Sequence, residues 1–174
     1  MKKITVRKLF PLLLCAVLAL LLSACGGDAP DITKGDISCT ISIECRNILN
    51  NMDKLNPSKK EFVPEDGWIL KTTEVKCDKG DTVYDVLYAA CRAYDIQIDA
   101  SHTPVYDTYY VRGLHQLYEM DCGELSGWTY TVNEKQMHYG ASQVQVEEGD
   151  KIEWRYTCDM GRDTGGDVSE WTEG

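Results

Sequence analysis

The stretch KGDTVYDVLYAACRAY, residues 79–94, decides the fold that this sequence predicts. Thr82 and Asp85 stand three residues apart at the start of an apolar run, the spacing of a capping box with Asp in place of the usual Glu. From Val83 onward, apolar side chains recur at three- and four-residue intervals as far as Tyr94, so they share one face of a helix. The sequence therefore predicts one clear helix, which follows a glycine turn and ends near Tyr94.

Segments on both sides of this helix predict strands, and three of them, 37–45, 127–133 and 151–158, alternate as strands with one buried face do. Before the helix they are ISCTISIEC (37–45) and a second strand over 69–77. After it they are GWTYTVN (127–133), a short strand over 144–146 and KIEWRYTC (151–158). Two groups of strands separated by one helix predict an α+β fold, a β-grasp-like mixed sheet with the helix packed on one face.

The tyrosine-rich segment between the helix and the third strand, residues 95–121, shows no such alternation. It contains four tyrosines and no continuous apolar face. We therefore expect this segment to be irregular.

Composition and charge narrow the class of protein. The 174 residues contain 18 Lys and Arg against 28 Asp and Glu, which gives a net charge of -10. A chain this acidic is unsuited to nucleic acid and to docking on anionic lipid through charge, so we expect no nucleic-acid partner. Hydrophobic residues make up 43% of the chain, which is typical of one globular domain.

The first 24 residues have the features of a bacterial secretion signal. Basic residues precede an apolar run over 9–22, which is too short to span a bilayer comfortably. The run ends in LSAC (22–25), which resembles the lipobox of bacterial lipoproteins, where the cysteine is acylated and becomes the new amino terminus. The sequence therefore predicts lipidation at Cys25, a membrane contact through the lipid anchor and a location on the extracytoplasmic face of the cell membrane.

These features divide the chain into four parts. We expect a lipoprotein signal peptide over 1–24, a flexible tether over 25–35, a folded domain over 36–161 and an acidic disordered tail over 162–174. The tether is short and polar, and the tail is rich in glycine and acidic residues.

Six cysteines remain once Cys15 in the signal and Cys25 are set aside. An extracytoplasmic address favours disulfides, and we expect two or three of them. No CxxC spacing occurs and the histidines are scattered, so no metal site is expected. Cys77 ends a strand and Cys91 lies on the following helix, so these two thiols could meet.

The remaining pairings depend on the strand layout. In a β-grasp sheet the first and last strands are parallel neighbours, which brings Cys45, Cys122 and Cys158 near one end of the sheet. Cys158 can then pair with only one of the other two. Cys39 lies toward the opposite end and is the thiol that could stay unpaired, and the pairing remains open at this stage.

No segment carries the signature of a catalytic site. The stretch GELSG (123–127) has its serine one position too late for a nucleophile elbow. A Cys–His nucleophile needs a free thiol, which disulfides remove. The glycine patterns of phosphate and dinucleotide sites do not occur. The sequence therefore predicts a protein that is not an enzyme and has no catalytic residues.

Two blocks, DCGELSGWTYTVN (121–133) and EEGDKIEWRYTCDMG (147–161), carry a resemblance to a known family. They resemble the bacterial transcobalamin-like C-terminal domain family, a domain of unknown function, and the likeness extends over about 38–161. The resemblance implies a secreted or lipid-anchored protein similar to the β-grasp half of the animal cobalamin carriers, which covers the corrin ring. A corrinoid such as cobalamin is therefore the ligand that the resemblance suggests.

The chain departs from the family pattern in the hairpin over 134–141, EKQMHYGA. Family members usually carry a glycine, a proline-containing loop and a cysteine in this hairpin. Here Glu134 replaces the glycine and Ala141 the cysteine. We expect a hairpin that lacks the usual tight turn and any cross-link, with its tip packed through aromatic side chains.

Aromatic side chains in loops are the remaining candidates for a binding surface. Those that alternate along strands belong mostly to the core, whereas loop aromatics with polar tips suit contact with a ligand or partner. The ligand-binding candidates are Tyr106, Tyr109, Tyr110, Trp128, His138 and Tyr139. The sequence thus predicts a non-catalytic, lipid-anchored binding protein with a corrinoid as its candidate ligand. The alternative is a cell-surface module that contacts protein or glycan without a small-molecule pocket.

Overall fold

The computed structural model describes residues 30–165. The predicted signal peptide, Cys25, residues 26–29 of the tether and residues 166–174 of the tail lie outside this described part. Within 30–165, no helix combines the length and the apolar character needed to cross a membrane.

The described part of the chain contains eight strands and two α-helices, which gives an α+β fold composed mostly of strands, as the sequence predicts. The strands are β1 (Ile37–Glu44), β2 (Trp68–Cys77), β3 (Ile98–Thr103), β4 (Thr108–Leu114), β5 (Leu117–Tyr118), β6 (Gly127–Val132), β7 (Lys135–Gln136) and β8 (Lys151–Thr157). The helices are α1 (Arg46–Leu49) and α2 (Val83–Ala93), and short 3-10 helices span Pro57–Phe62, Ala141–Gln143 and Arg162–Thr164.

Five strands form the larger sheet, in the order β2-β1-β8-β6-β7. β1 lies antiparallel to β2 and parallel to β8, with Ile43 opposite Trp154. β6 is antiparallel to β8. A parallel pair needs a long crossover between its strands, and the chain from β2 through α2 and the second sheet supplies it.

Helix α2 is fixed at its start by the capping box that the sequence predicts. Thr82 Oγ1 accepts a hydrogen bond from the backbone N–H of Asp85 at 3.3 Å, and Asp85 Oδ2 accepts one from the backbone N–H of Thr82 at 2.8 Å. The buried face of the helix packs into the main core, which also contains the inward-facing side chains of β1, β2 and β8. That buried face consists of Val83, Val86, Leu87, Ala90 and Cys91.

A second apolar cluster fills the end of the sheet where β1 and β8 finish. Its buried members include Cys45, Tyr156 and Leu117. The 3-10 helix Arg162–Thr164, which the sequence assigned to the tail, packs beside this end. Its Asp163 accepts a hydrogen bond from the backbone N–H of Cys158 at 2.7 Å.

The largest departure from the predicted fold lies in residues 95–121. They form a three-stranded sheet, β3-β4-β5, where the sequence predicted irregular structure. The segment TYYV (108–111) has the β-branched and aromatic composition that favours strands. Gly113 allows β5 to pair with β4, because a Cβ atom there would lie 2.6 Å from the ring of Tyr118. The strands were missed because only four of their residues are buried and no alternating face results.

The predicted strand over 144–146 is also wrong. Its central residue, Gln145, forms an isolated bridge with Thr82. On either side, the backbone N–H of Val83 donates to Val144 O and the N–H of Val146 donates to Asp81 O, both at 2.9 Å. The segment therefore pairs with the turn before α2, which is too short to extend a strand.

Candidate functional site

An open cleft of about 730 Å³ is lined by β4, the first half of β6 and the segment 137–143. These parts are far apart in the sequence, and the fold brings them together around the cleft. All six aromatic candidates predicted from the sequence line this one cleft. They are Tyr106, Tyr109, Tyr110, Trp128, His138 and Tyr139.

The inner wall of the cleft is made of strand aromatics that are held by ring packing. Tyr130 and Trp154 stack with their ring centroids 5.0 Å apart. Trp128 meets Tyr156 edge to face at 5.2 Å, and its Nε1–H donates to Leu117 O at 2.9 Å. Trp128 is thus fixed in orientation and only half-buried. Both properties suit a side chain that contacts a ligand.

The first half of β6 presents an open backbone edge to the cleft. β7 pairs only with Thr131 and Val132 at the far end of the strand. The backbone N–H of Asn133 donates to Lys151 O at 2.9 Å, so odd-numbered residues of β6 direct their backbone groups toward β8. By the alternation of an antiparallel pair, the N–H and C=O of Trp128 point the other way and border the cleft.

The segment 137–143 is fixed against β4 and closes one end of the cleft. The backbone of Gly140 lies so close to Thr108 that any side chain at position 140 would collide with it. Ser142 Oγ accepts a hydrogen bond from the backbone N–H of Tyr109 at 3.0 Å. Polar residues, and not only the aromatic tip that the sequence indicated, therefore position this rim.

Two exposed tyrosines form the rim at this end of the cleft, Tyr139 in the segment 137–143 and Tyr106 in the turn between β3 and β4. Tyr106 and Tyr139 are each 68% exposed. Their backbones are nevertheless fixed, because Gln143 Nε2 donates to Tyr106 O and the hydroxyl of Tyr130 donates to Tyr139 O, both at 2.8 Å. The two rings are thus exposed to a ligand, and the hydrogen bonds hold the backbone that carries them in place.

The hairpin between β6 and β7 keeps a tight turn, contrary to the expectation from the sequence. Asn133 and Glu134 both have left-handed backbone conformations, with φ of 52° and 67°, as a two-residue hairpin turn requires. The side chain of Asn133 stabilises the turn. Its Oδ1 accepts from the backbone N–H of Lys151 at 3.0 Å and its Nδ2 donates to Asp150 Oδ1 at 2.8 Å.

The charged groups of the cleft favour ligands that are not anions. The carboxylates of Glu119 and Glu124 line it, and of the residues that the structure describes no Lys or Arg does. The hydroxyl of Tyr110 donates to Glu119 Oε2 at 2.6 Å. Burial and this hydrogen bond raise the pKa of Tyr110 to about 12, so its hydroxyl stays protonated at neutral pH. A neutral or cationic ligand fits this lining best.

A short row of aromatic rings continues from the cleft onto α2. Tyr109 stacks on Tyr84 with centroids 4.4 Å apart and an interplanar angle of 3°. Tyr84 in turn stacks with Tyr88 at 6.3 Å. Tyr84 and Tyr88 were not among the candidates predicted from the sequence, although their spacing of four residues on a predicted helix places them on one face.

The six described cysteines are buried free thiols, and at one end of the sheet their neighbours differ from the predicted ones. Cys77 does not meet Cys91. Its thiol lies beside that of Cys39 across β1 and β2, and burial together with this neighbour raises the pKa of Cys39 to about 12. Cys91 lies among apolar residues of α2, where burial raises its pKa to about 12. Cys39, the thiol that the sequence left as the one that could stay unpaired, therefore has Cys77 as its neighbour.

At the other end of the sheet, the sulfur atoms of Cys122 and Cys158 lie 3.4 Å apart. Cys45 belongs to the same apolar cluster, and burial together with nearby Glu44 raises its pKa to about 12. Over residues 30–165, no group of three or more His, Cys, Asp or Glu side chains is arranged to hold a metal ion.

Comparison with known proteins gives a match to part of the chain. The family model described as Domain of unknown function (DUF4430) matches residues 80–158. That span contains α2, the second sheet and β6 to β8, and it is shorter than the resemblance read from the sequence. It also contains every residue that lines the cleft except Met160 and Gly161. No curated protein sequence matches this chain.

Two solved structures are similar to it in fold. A "putative metal binding protein" from Ruminococcus gnavus ATCC 29149 aligns with a TM-score of 0.46 and 15% identity, over 70% of this chain and 97% of that one. Haptocorrin in complex with Cbi aligns with a TM-score of 0.49 and 15% identity, over 70% of this chain. The aligned part amounts to 25% of the haptocorrin chain, so this chain spans a quarter of that protein.

Proposed function

We propose that this protein is a non-catalytic binding protein whose aromatic cleft holds a small, flat ligand that is neutral or cationic. One observation carries the proposal: aromatic side chains from three separate segments line one open cleft that contains carboxylates and no Lys or Arg among the described residues. Its volume of about 730 Å³ lies in the range of roughly 300–1,000 Å³ that small-molecule pockets occupy.

A corrinoid such as cobalamin is the specific ligand that we propose, on the resemblance of the sequence to the transcobalamin-like family. The shape of the cleft suits a broad flat ring. The open cleft can cover one face of such a ring, and the side chains of Tyr106 and Tyr139 at the rim can contact its edges. The strand order β2-β1-β8-β6 with α2 packed on the sheet supports a β-grasp layout for the domain that presents the cleft.

We also propose that the domain is held on the extracytoplasmic face of the cell membrane through acyl chains on Cys25. The LSAC motif at 22–25 supports this anchor. A Cys25→Ser variant should be recovered outside the membrane fraction, and attachment of labelled fatty acid to that variant would contradict the anchor.

The direct test is a titration of the purified protein with cobalamin, followed by the visible absorption of the ligand. We expect a saturable spectral change that is weaker in Tyr139→Ala. The matched control is Tyr88→Ala, which removes a tyrosine that is 45% exposed on α2 and does not line the cleft. A folded wild-type protein that leaves the spectrum unchanged would contradict cobalamin as the ligand.

The row of stacked rings that runs from Tyr109 on β4 to Tyr84 and Tyr88 on α2 favours a second candidate function, contact with a glycan or protein at the cell surface. Tyr88 and Tyr109, at the two ends of this row, are 45% and 39% exposed, and tyrosine is enriched where proteins meet their partners. A glycan-binding screen separates the two candidates. Binding that Tyr88→Ala abolishes, from a protein that gives no response to cobalamin, would favour this second function over the first.

A further inference from the structure

We propose that Cys122 and Cys158 form a disulfide that fixes one wall of the cleft, the role of that wall resting on the proposed binding function. Cys122 lies in the loop between β5 and β6, and Cys158 directly follows β8. Their sulfur atoms lie 3.4 Å apart, and a disulfide bond is about 2.05 Å long. A shift of little more than an ångström, shared by two side chains, is therefore enough to form the bond.

The backbones of both cysteines are already held in place. The backbone N–H of Cys122 donates to Ser126 Oγ at 3.0 Å, and that of Cys158 donates to Asp163 Oδ2 at 2.7 Å. Ser126 Oγ in turn lies 3.0 Å from the hydroxyl of the buried Tyr156. The folded backbone thus places the two thiols next to each other. The bond would form after folding, with a shift of the two side chains and no rearrangement of the backbone.

The other four described cysteines are less well placed to form a disulfide with Cys122 or Cys158. Cys39 and Cys77 contact each other at the opposite end of β1. Cys91 is buried on α2 among apolar side chains. Cys45 shares the apolar cluster with the proposed pair, which makes it the thiol that a competing pairing would use.

A second pocket gives an oxidant access to the pair. This pocket, about 550 Å³ in volume, is lined by both cysteines together with Lys54 and Asp159. Cys158 is 9% exposed, whereas Cys91 is fully buried in the main core. A small disulfide-containing molecule can therefore approach the proposed pair but not Cys91.

The oxidant that we propose is a disulfide donor, either a small-molecule disulfide or the disulfide of an oxidoreductase. One cysteine thiolate attacks a sulfur of the donor, which releases one donor thiolate and leaves a mixed disulfide. The second cysteine thiolate attacks the protein sulfur of that mixed disulfide, which forms the Cys122–Cys158 bond and releases the second donor thiolate. The two protein protons end on the two released thiols, so two protein thiols are oxidised and one donor disulfide is reduced.

The bond would join the two segments that form this wall of the ligand cleft. Leu125 and Ser126 follow Cys122 in its loop, Met160 and Gly161 follow Cys158, and all four line the cleft. The backbone N–H of Met160 donates a hydrogen bond to Leu125 O at 2.8 Å and links these two segments. A covalent link beside this hydrogen bond restricts the opening of the wall.

The pairing is tested without any ligand by peptide mapping of the full-length protein. The reduced protein is incubated with oxidised glutathione, its remaining thiols are alkylated, and it is digested with trypsin. Cleavage after Lys135, Lys151 and Arg155 places the two cysteines on different peptides. We expect these peptides to be recovered as one linked species, about 2 Da lighter than their sum. A link from Cys158 to Cys45, or full alkylation of both Cys122 and Cys158, would overturn the pairing.

Two variants control this experiment. Cys45→Ser removes the nearby thiol of the same cluster and should leave the linked peptides intact. Cys122→Ser should release Cys158 to alkylation, with the loss of the linked species. A Cys45→Ser protein that loses the linked species would contradict the proposal.

The role of the wall is tested by hydrogen exchange of the amides in residues 124–126, compared between the oxidised and reduced protein. Slower exchange in the oxidised form is expected, and equal exchange would overturn this role. A failure of cobalamin to bind in both redox states would count against the proposed function alone, because neither the mapping nor the exchange measurement uses a ligand.

Discussion

The aromatic residues of the five-stranded sheet and those of the cleft rim are the same kinds of side chain in opposite environments. In the sheet, Tyr156 is fully buried and Trp154 is 3% exposed, whereas Tyr106 and Tyr139 at the rim are each 68% exposed. The sheet residues alternate along strands whose inner face packs into the two apolar clusters, and the rim residues lie in turns between strands. Position relative to strand alternation, and not residue type, therefore separates aromatic side chains that stabilise the fold from those available for binding.

Substitution of a sheet aromatic should have the largest effect. Trp154→Ala removes a ring that stacks on Tyr130 and packs among the residues of the main core. We expect a loss of about 3–5 kcal/mol in the free energy of unfolding, because a large buried side chain leaves a cavity that the core cannot fill. Urea unfolding followed by circular dichroism measures it. A variant as stable as the wild type would contradict the assignment of Trp154 to the core.

High pH should weaken the core. The pKa of Cys91 is raised by burial from 9.0 to about 12. Between these values the unfolded chain releases a proton that the folded chain retains, so the free energy of unfolding falls as the pH rises from about 9 to about 12. Urea midpoints at pH 8, 9.5 and 10.5 measure this decline. It should be shallower in Cys91→Ala, and equal slopes would show that this thiol is not responsible.

A single hydroxyl beneath the cleft should have a smaller effect. Tyr156→Phe keeps the ring and removes the hydroxyl that donates to Tyr118 O at 2.6 Å and lies 3.0 Å from Ser126 Oγ. We expect a loss of about 1–3 kcal/mol, because two buried polar groups lose a partner. Urea unfolding checks it, with Tyr88→Phe on the exposed face of α2 as the matched control. Equal losses in the two variants would contradict a specific role for the buried hydroxyl.

A rim substitution should leave stability almost unchanged and alter binding. Tyr139→Ala removes an exposed ring, so we expect its free energy of unfolding to stay within about 0.5 kcal/mol of the wild type. When the ring packs against the edge of the ligand, its loss removes about 1.5–3 kcal/mol, which weakens binding roughly tenfold or more. Cobalamin titration and urea unfolding of the same preparation measure both. Unchanged affinity for a proven ligand would contradict the assignment of this rim.

The parts of the fold that the sequence could predict are those in which local pattern and burial agree. The capping box of Thr82 and Asp85 and the apolar face of α2 predict the helix, and period-two alternation predicts β1, β6 and β8. The second sheet escaped prediction because its strands are mostly half-exposed, so burial leaves no alternating pattern in the sequence. Its existence depends on pairing between strands and on the close approach that Gly113 permits.

The aromatic members of the cleft could be predicted from composition and loop position, but the contacts that assemble them could not. Gly140, Ser142 and Gln143 hold the rim against β4 through contacts with residues more than 30 positions earlier in the chain. The neighbours of each cysteine could not be predicted from the sequence either. Whether Cys77 meets Cys39 or Cys91 depends on the register of β1 with β2 and on the rotation of α2, which sequence spacing does not specify.

The most direct test of the binding cleft is amide hydrogen exchange of the protein with and without saturating cobalamin. We expect protection to increase in three segments that are distant in sequence, 106–111, 124–130 and 137–143, and not at the exposed face of α2. Protection confined to α2, or no change at a ligand concentration that saturates the spectral response, would contradict the claim that this cleft is the binding site.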